Sequence, residues 1–299
     1  MAHSMAHMAS PKLAPAPPQL DLAKLTPFVD SLPRLAVAKP MGTRPNGAHQ
    51  QVPFYRIPVQ EFFSKIHRDV APTRFWGYGN SVPGPTIEAR SGEEIAIDWP
   101  NRLPAKHFLP IDHNLMGAEK GRPESRIVVH VHGAKVPSAS DGWPEAWYGP
   151  GKSATFHYPN EQEATQLWYH DHAMGINRLN NCAGMAGLYT IRDSFEAALQ
   201  LPNGEYEIPL VLMDRMIRAD GQLYYPVAQN AAAPWIPEYA GEAVLLNGKL
   251  LPYLDVQPRK YRFRILNASN SRFFFLCLGS GRPFNRLEPI KDYCLHPLR

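Results

Sequence analysis

Cysteine is scarce in this sequence. The 299 residues contain three cysteines, Cys182, Cys277 and Cys294, and none of them forms a Cys-x-x-Cys pair. The odd number and the irregular spacing argue against a disulfide framework. Long apolar runs are missing as well, because no segment reaches the roughly 18–20 residues that a membrane-spanning helix needs. We therefore expect no membrane association.

The sequence also has no large excess of positive or negative charge. The 31 basic residues nearly balance the 27 acidic ones, for a formal net charge of +4, and the basic residues are scattered. A nucleic-acid-binding surface normally needs a basic patch, so we expect no nucleic-acid partner. The N-terminus, "MAHSMAHMASPKLAPAPPQL", lacks the apolar core of a secretory signal peptide, and this predicts a cytoplasmic location.

Proline, by contrast, is abundant, at 31 residues. Proline disfavours helix interiors and central strands, so we expect many turns and loops. Residues 1–48 are rich in proline and alanine and predict a disordered leader. Further on, "IEARSGEEIAIDWPN" alternates as paired strands do, and "RIVVHVHG", "SATFHYPN" and "TQLWYHDH" are short strand-like runs between Gly, Pro and Asn. This pattern of short strands separated by turn residues predicts an all-β fold of Greek-key sandwiches in series.

The distribution of strand-like segments divides the chain into two parts. Residues 49–195 predict one complete sandwich. A polar connector at 193–208, with one helical turn, separates it from a second run of strands. Residues 196–299 predict a second sandwich that is incomplete.

Two His-x-His pairs are the main chemical signal. His130 and His132 occur in "HVHG", and His170 and His172 occur in "HDH". Side chains on a strand alternate between its two faces, so each pair projects both imidazoles from one face. Two such strands side by side would bring four imidazoles together, and imidazole suits copper, zinc, iron and nickel. The alternative is that each is an ordinary core histidine that forms hydrogen bonds.

The sequence around these pairs resembles that of the bacterial multicopper oxidases of the spore-coat laccase, bilirubin oxidase and phenoxazinone synthase branch. The matching stretches include "RFWGYGNSVPGPTIEARSGE", "HFLPIDH", "VVHVHGAKVPSASDGWPEAW", "YPNEQEATQLWYHDHAMGINRLNNCAGMAGLYTIRD" and "LNGKLLPYLDVQPRKYRFRILNASNSR". The resemblance implies cupredoxin-like sandwiches, copper as cofactor, and oxidation of phenolic or aminophenolic small molecules with reduction of O2 to water. It also leaves association with spores open.

The resemblance implies a role for each histidine of the two pairs. His130 would be a ligand of the type 2 copper, and His132, His170 and His172 would be ligands of the type 3 copper pair. Asp141, in "SDGWPEAW", matches a family acid that delivers protons during O2 reduction. Its alternative is a turn-forming Asp-Gly residue. Of the remaining residues, His107, His113 and His157 are expected to form hydrogen bonds, Trp168 and Tyr169 to pack in the core, and Cys182 to be buried.

The other half of the family's copper sites is missing from this sequence. The family supplies its type 1 copper ligands in a Pro-x-His-x-His stretch and a His-Cys-His stretch, and neither occurs here. The sequence after "GRPFN" also departs from the family. Back-translation of residues 286–295 permits codons that, shifted by one nucleotide, encode the family's continuation at all but one position. We therefore interpret residues 286–299 as an out-of-frame tail, which the nucleotide sequence of the gene would test.

Three functions follow as hypotheses. The first is a laccase-like multicopper oxidase in which this chain alone is inactive because it lacks the type 1 half. The second is a copper-binding fragment without turnover, and the third is a structural cupredoxin without metal. Copper content and oxidation of a phenol under air distinguish them.

Overall fold

The computed structural model describes residues 13–229 and 236–278, and no helix within them is long and apolar enough to cross a membrane. The strands of the first part are β1 (Gly42–Pro45), β2 (Gln51–Arg56), β3 (Val59–Ser64), β4 (Thr73–Tyr78), β5 (Gly84–Arg90), β6 (Ile95–Pro100), β7 (Val129–His132), β8 (Ser153–Tyr158), β9 (Thr165–Asp171) and β10 (Ala186–Arg192). The helix α1 (Asn177–Ala183) lies between β9 and β10. After them come α2 (Ser194–Ala198), β11 (Glu207–Ile217), β12 (Leu223–Tyr224), β13 (Ala243–Leu246), β14 (Lys249–Leu250) and β15 (Arg262–Asn267).

Strands β1 to β10 form two four-stranded sheets and a hairpin. The first sheet has the order β1–β2–β6–β8, the second has the order β5–β10–β9–β7, and the hairpin consists of β3 and β4. Apolar side chains of both four-stranded sheets share one continuous core. The two sheets are therefore the layers of a β-sandwich, which confirms the predicted all-β class.

Aromatic side chains join the two layers at the centre of the sandwich. Trp99 on β6 packs against Tyr169 on β9, with ring centroids 5.4 Å apart. Tyr78 contacts both rings, at 5.5 and 4.9 Å. The indole N–H of Trp99 donates to the Tyr158 hydroxyl at 3.3 Å, so its polar atom has a partner inside the core. Because Tyr169 points inward, the alternation of β9 directs His170 to the opposite face.

The strands predicted as a pair within residues 87–101 are both present, but they do not pair with each other. β5 lies beside β10 in one layer, whereas β6 lies between β2 and β8 in the other layer. The turn between them therefore carries the chain from one sheet to the other. Alternation alone predicts a strand with one buried face, and it does not say which strand lies beside it.

The prediction of a disordered leader is wrong for residues 13–48. Leu25 and Leu32 in this segment are only 8% and 7% exposed, and β1 pairs with β2 in antiparallel register. Proline disfavours α-helix in this segment, which has one short 3₁₀ helix (Leu22–Lys24), but an extended chain still offers backbone groups to an open sheet edge. Residues 1–12 lie outside the described residues.

Strands β11 to β15 form a further sheet with the order β12–β11–β13–β14, in which β15 runs parallel to the first half of β11. The predicted helical turn before it is α2, whose cap residue Asp193 accepts a hydrogen bond from the N–H of Glu196 at 2.7 Å. The interpretation of residues 286–299 as an out-of-frame tail falls outside the described residues. The predicted boundaries of the two sandwiches stay a prediction.

Candidate metal centre

The two His-x-His pairs lie on neighbouring antiparallel strands. In the register of β7 and β9, His130 faces His170 across the strands, and His132 faces Trp168. His172 follows directly after β9, and its N–H donates to the Val128 carbonyl at 2.8 Å, which keeps it beside β7. Strand alternation therefore places the imidazoles on one side of the sheet, as the spacing predicts.

The four imidazoles converge. The ring centroid of His130 lies 5.6 Å from that of His132, 5.6 Å from that of His170 and 4.9 Å from that of His172. One ligand nitrogen from each of His130, His132 and His170 can be chosen so that all three lie within 4.8 Å of one another. His170 is buried, whereas His132 is exposed, so the group reaches from the sandwich to its surface.

Backbone carbonyls hold two of the rings by their Nδ1 atoms. The Nδ1 of His130 donates to the carbonyl of Asp141, and the Nδ1 of His170 donates to the carbonyl of Asp171 at 2.7 Å. A carbonyl can only accept, so in the neutral ring the lone pair is on Nε2. Metal-binding histidines are commonly oriented in this way by a partner of the second ring nitrogen.

Two buried ring nitrogens have no hydrogen-bond partner among the described residues, namely Nε2 of His170 and Nδ1 of His172. A buried polar atom without a partner is costly, and ordinary core histidines avoid it. The donor set consists of imidazoles alone, which suits copper or zinc. The unpartnered nitrogens therefore fit a metal site better than a core histidine.

The environment keeps the buried imidazoles neutral. Burial lowers the pKa of His170 to about 3, and the neighbouring histidines act in the same direction. Burial and the neighbouring His130 also lower the pKa of His172. A neutral imidazole binds a metal ion without first losing a proton.

Asp141 lies at the edge of this group. Its Oδ1 is 3.4 Å from Nδ1 of His130, and its side chain is 43% exposed. It follows a short 3₁₀ turn (Ser138–Ser140) and precedes Gly142, which has a φ of +76°. A Cβ at Gly142 would overlap the Val129 carbonyl of β7, so glycine lets this loop lie directly against the strand. This position is compatible with both roles of Asp141, as an acid that delivers protons and as a turn-forming residue before Gly142.

The sequence predicts Trp168 in the core together with Tyr169, and the structure separates the two. Tyr169 is fully buried, whereas Trp168 is half-buried on the histidine face. Its ring stacks on His170, with centroids 4.1 Å apart and planes inclined by 24°. It also stacks on His132 at 5.6 Å. The period-two alternation that selected the histidines also selects Trp168, and this signal was missed.

The remaining predicted residues lie outside the group of imidazoles. His113 contacts the Ala118 carbonyl, and His157 is half-buried on β8 beside Glu94. Cys182 is fully buried in α1. Cys294 falls outside the described residues.

Comparison with known proteins agrees with this geometry. Residues 63–113 and 122–196 match the family model described as multicopper oxidase. The chain is 47% identical over 272 residues to a laccase of Bacillus stratosphericus and 44% identical over 276 residues to a laccase of Bacillus subtilis. The alignments cover 86% and 87% of this chain. This chain is therefore similar in sequence to the multicopper oxidases.

The match extends over only part of these relatives. The aligned chain spans 52% and 53% of the two Bacillus laccases, that is, about half of their length. Among solved structures, the crystal structure of a laccase from Pediococcus acidilactici superposes with a TM-score of 0.64 at 26% identity. That superposition covers 82% of this chain and 47% of the other. About half of the multicopper oxidase fold is therefore present in this chain, and the family that it resembles is one of oxidoreductases.

Proposed function

We propose that this chain carries the O2-reducing half-site of a laccase-type multicopper oxidase. His130 would hold the type 2 copper, and His132, His170 and His172 would be ligands of the type 3 pair. The observation that carries the proposal is the convergence of four imidazoles with buried, unpartnered ring nitrogens. Together with the missing type 1 ligands, bound copper would supply one-electron oxidation of phenols or aromatic amines coupled to reduction of O2 to water.

The protein's own residues have two tasks in this proposal. The carbonyls of Asp141 and Asp171 hold the rings of His130 and His170 so that Nε2 faces the centre. The carboxyl group of Asp141 lies 3.4 Å from Nδ1 of His130 and is 43% exposed, a position that suits a general acid during O2 reduction. Burial lowers the pKa of His170 and of His172, so these two ligands are neutral and need no deprotonation.

The absence of type 1 ligand motifs limits what these 299 residues do alone. Neither a Pro-x-His-x-His nor a His-Cys-His stretch occurs in the sequence. We propose that the chain by itself binds copper without turnover, and that oxidation of phenolic substrates needs the missing ligands. The cytoplasmic location and the association with spores stay predictions.

Copper content after dialysis tests the proposal. The purified full chain is loaded with Cu(II), dialysed and analysed by atomic emission, in parallel with the double variant His170→Ala, His172→Ala. We expect retained copper in the wild type and its loss in the variant. His157→Ala is the matched control, because His157 is a half-buried histidine of the same sandwich outside the group.

The three hypotheses predict different copper contents and different O2 uptake in the presence of a phenol. A wild-type chain without copper would favour a structural sandwich and contradict the proposal. Copper with no O2 uptake in the presence of a phenol is the expected result for the chain alone. O2 uptake that disappears in the double variant would show that the chain turns over, and the stated need for type 1 ligands would be wrong.

A further inference from the structure

A line of three buried polar side chains lies behind the strand that carries His170. His107, Asn180 and Asp171 are 9%, 0% and 0% exposed. The Nε2 of His107 lies 3.1 Å from the Asn180 Oδ1, and the Asn180 Nδ2 lies 2.8 Å from the Asp171 Oδ2. His107 comes from a loop and Asn180 from α1, so the line joins three separate segments.

The direction of every hydrogen bond in this line is determined. The N–H of Leu109 donates to Nδ1 of His107 at 2.9 Å, so this nitrogen accepts. Burial lowers the pKa of His107 to about 4, and the neutral ring therefore has its proton on Nε2. That proton is donated to the Asn180 Oδ1, and the Asn180 Nδ2 donates to Asp171 and, at 3.3 Å, to the Arg126 carbonyl. The three side chains thus have one mutual arrangement.

The carboxylate at the end of the line ties both histidine segments together. Oδ1 of Asp171 accepts the N–H of Val128 at 2.9 Å, and Oδ2 accepts the N–H of Ala173 at 3.1 Å. Val128 directly precedes β7, and Ala173 directly follows His172. This one carboxylate therefore links the backbone that bears His130 and His132 to the backbone that bears His170 and His172.

Stability alone does not account for this arrangement. A buried carboxylate loses its hydration, and replacement of buried charged groups by well-packed apolar residues is often neutral or stabilising. His107 also packs against Trp76, with ring centroids 4.0 Å apart and planes inclined by 48°, and stacks on Phe108 at 5.4 Å, so an apolar ring would fit its place. What an apolar ring could not do is orient Asn180.

We propose that His107 and Asn180 are positioning residues that act through Asp171 to set the geometry of the four metal-binding histidines. The proposal deepens the proposed function and rests on it. Outer hydrogen-bond partners of metal ligands typically contribute a factor of 10–100 in metal affinity. Because the line acts as a unit, the loss of either member has about the same effect as the loss of both.

The test is a titration of the full chain with Cu(II) against a competing chelator, together with the EPR spectrum of bound Cu(II). His107→Phe keeps the ring stacking but removes both hydrogen bonds, and Asn180→Leu removes the middle of the line. We expect each to weaken Cu(II) binding by about tenfold or more and to change the copper hyperfine splitting. The double variant is expected to be no weaker than the stronger single change.

Two further variants separate positioning from folding. Leu179→Ala removes a buried apolar side chain that is 3% exposed and adjacent to Asn180. It is expected to lower the melting temperature and leave Cu(II) affinity and the EPR spectrum unchanged. His107→Gln retains an amide N–H donor towards Asn180 and is expected to recover part of the affinity that His107→Phe loses.

Each outcome decides between the claims. Suppose that the wild type binds Cu(II) and that His107→Phe and Asn180→Leu bind it no more weakly than Leu179→Ala does. This result would overturn the positioning role and leave the proposed function intact. A wild-type chain that binds no Cu(II) would refute the proposed function and the inference with it. If Asn180→Leu does not fold, the pair His107→Phe and His107→Gln still decides the question.

Discussion

Trp168 stacks on His170 with ring centroids 4.1 Å apart and ring planes inclined by only 24°. The two residues are two positions apart on β9, so the alternation of the strand puts both on the same face. The indole covers one side of an imidazole whose Nε2 is buried and unpartnered. Trp168 is therefore part of the candidate metal centre, although it offers no ligand atom.

Replacement of this indole is expected to weaken metal binding moderately. Aromatic pairs contribute about 0.5–1.5 kcal/mol beyond their buried area, which corresponds to roughly a two- to tenfold loss of Cu(II) affinity in Trp168→Leu. Trp168→Tyr keeps a stacked ring and is expected to bind within about twofold of the wild type. Competitive Cu(II) titration measures both. Equal affinity of the leucine variant and the wild type would show that the stacking does not hold His170 in place.

The convergence of the histidines could be predicted from the sequence because it depends on a short-range rule. A period of two places His130 with His132 and His170 with His172, whatever the rest of the chain does. The same rule applies to Trp168, but an aromatic residue beside apolar ones is also typical of a core strand. The pairing of β7 with β9 is a long-range relation, and here it joins the two pairs directly.

The support behind the histidines could not be predicted in the same way. Asn180 and His107 are 73 positions apart, and no local pattern connects them. The carbonyls that hold His130 and His170 belong to the backbone, which every residue has. The proline-rich segment 13–48 is ordered because it pairs with open sheet edges, and this depends on the tertiary structure. Local propensity is a weak guide in such cases.

Gly142→Ala is expected to disturb the loop that holds His130. The position has a φ of +76°, and a Cβ there would overlap the Val129 carbonyl. We expect a loss of more than about 1 kcal/mol of stability, together with weaker Cu(II) binding. Gly121→Ala is the control, because Gly121 has a φ of +93° but nothing within 4 Å of its added Cβ. Urea unfolding and Cu(II) titration check both, and equal behaviour of the two variants would contradict the prediction.

Glu207 is expected to be important for the sheet of β11 and β15. Burial raises its pKa, but hydrogen bonds from Arg192 and Arg264 outweigh this and hold the pKa below its usual value. Its side chain is only 6% exposed, so Glu207→Gln leaves Arg264 buried without its full partner. Removal of one partner from a buried ion pair costs about 3–5 kcal/mol.

Glu88→Gln provides the matched control for this ion pair. Glu88 contacts the same Arg192 guanidinium at 2.8 Å, but its side chain is 40% exposed. Exposed ion pairs contribute about 1 kcal/mol or less, so this variant is expected to unfold almost like the wild type. Urea unfolding compares the two. A Glu207→Gln variant as stable as Glu88→Gln would show that the network adds nothing to the sheet.

His107 is expected to make stability depend on pH. Burial lowers its pKa in the folded protein to about 4, whereas the unfolded chain has a value near 6.5. Between these values the unfolded chain takes up a proton that the folded protein does not, so the free energy of unfolding falls as the pH falls. The contribution of this group is complete above about pH 6.5 and decreases by about 3 kcal/mol down to pH 4.

His107→Gln isolates this contribution because it removes the titrating ring and retains an amide. Urea unfolding of the metal-free wild type and variant from pH 7.5 to pH 4 gives the stability difference between them at each pH. The wild type is expected to lose about 3 kcal/mol relative to the variant over this range, with most of the change between pH 6.5 and pH 4. A difference that does not vary with pH would mean that His107 takes up its proton equally well in the folded protein. The buried line through Asn180 would then lack the neutral ring that gives it its direction.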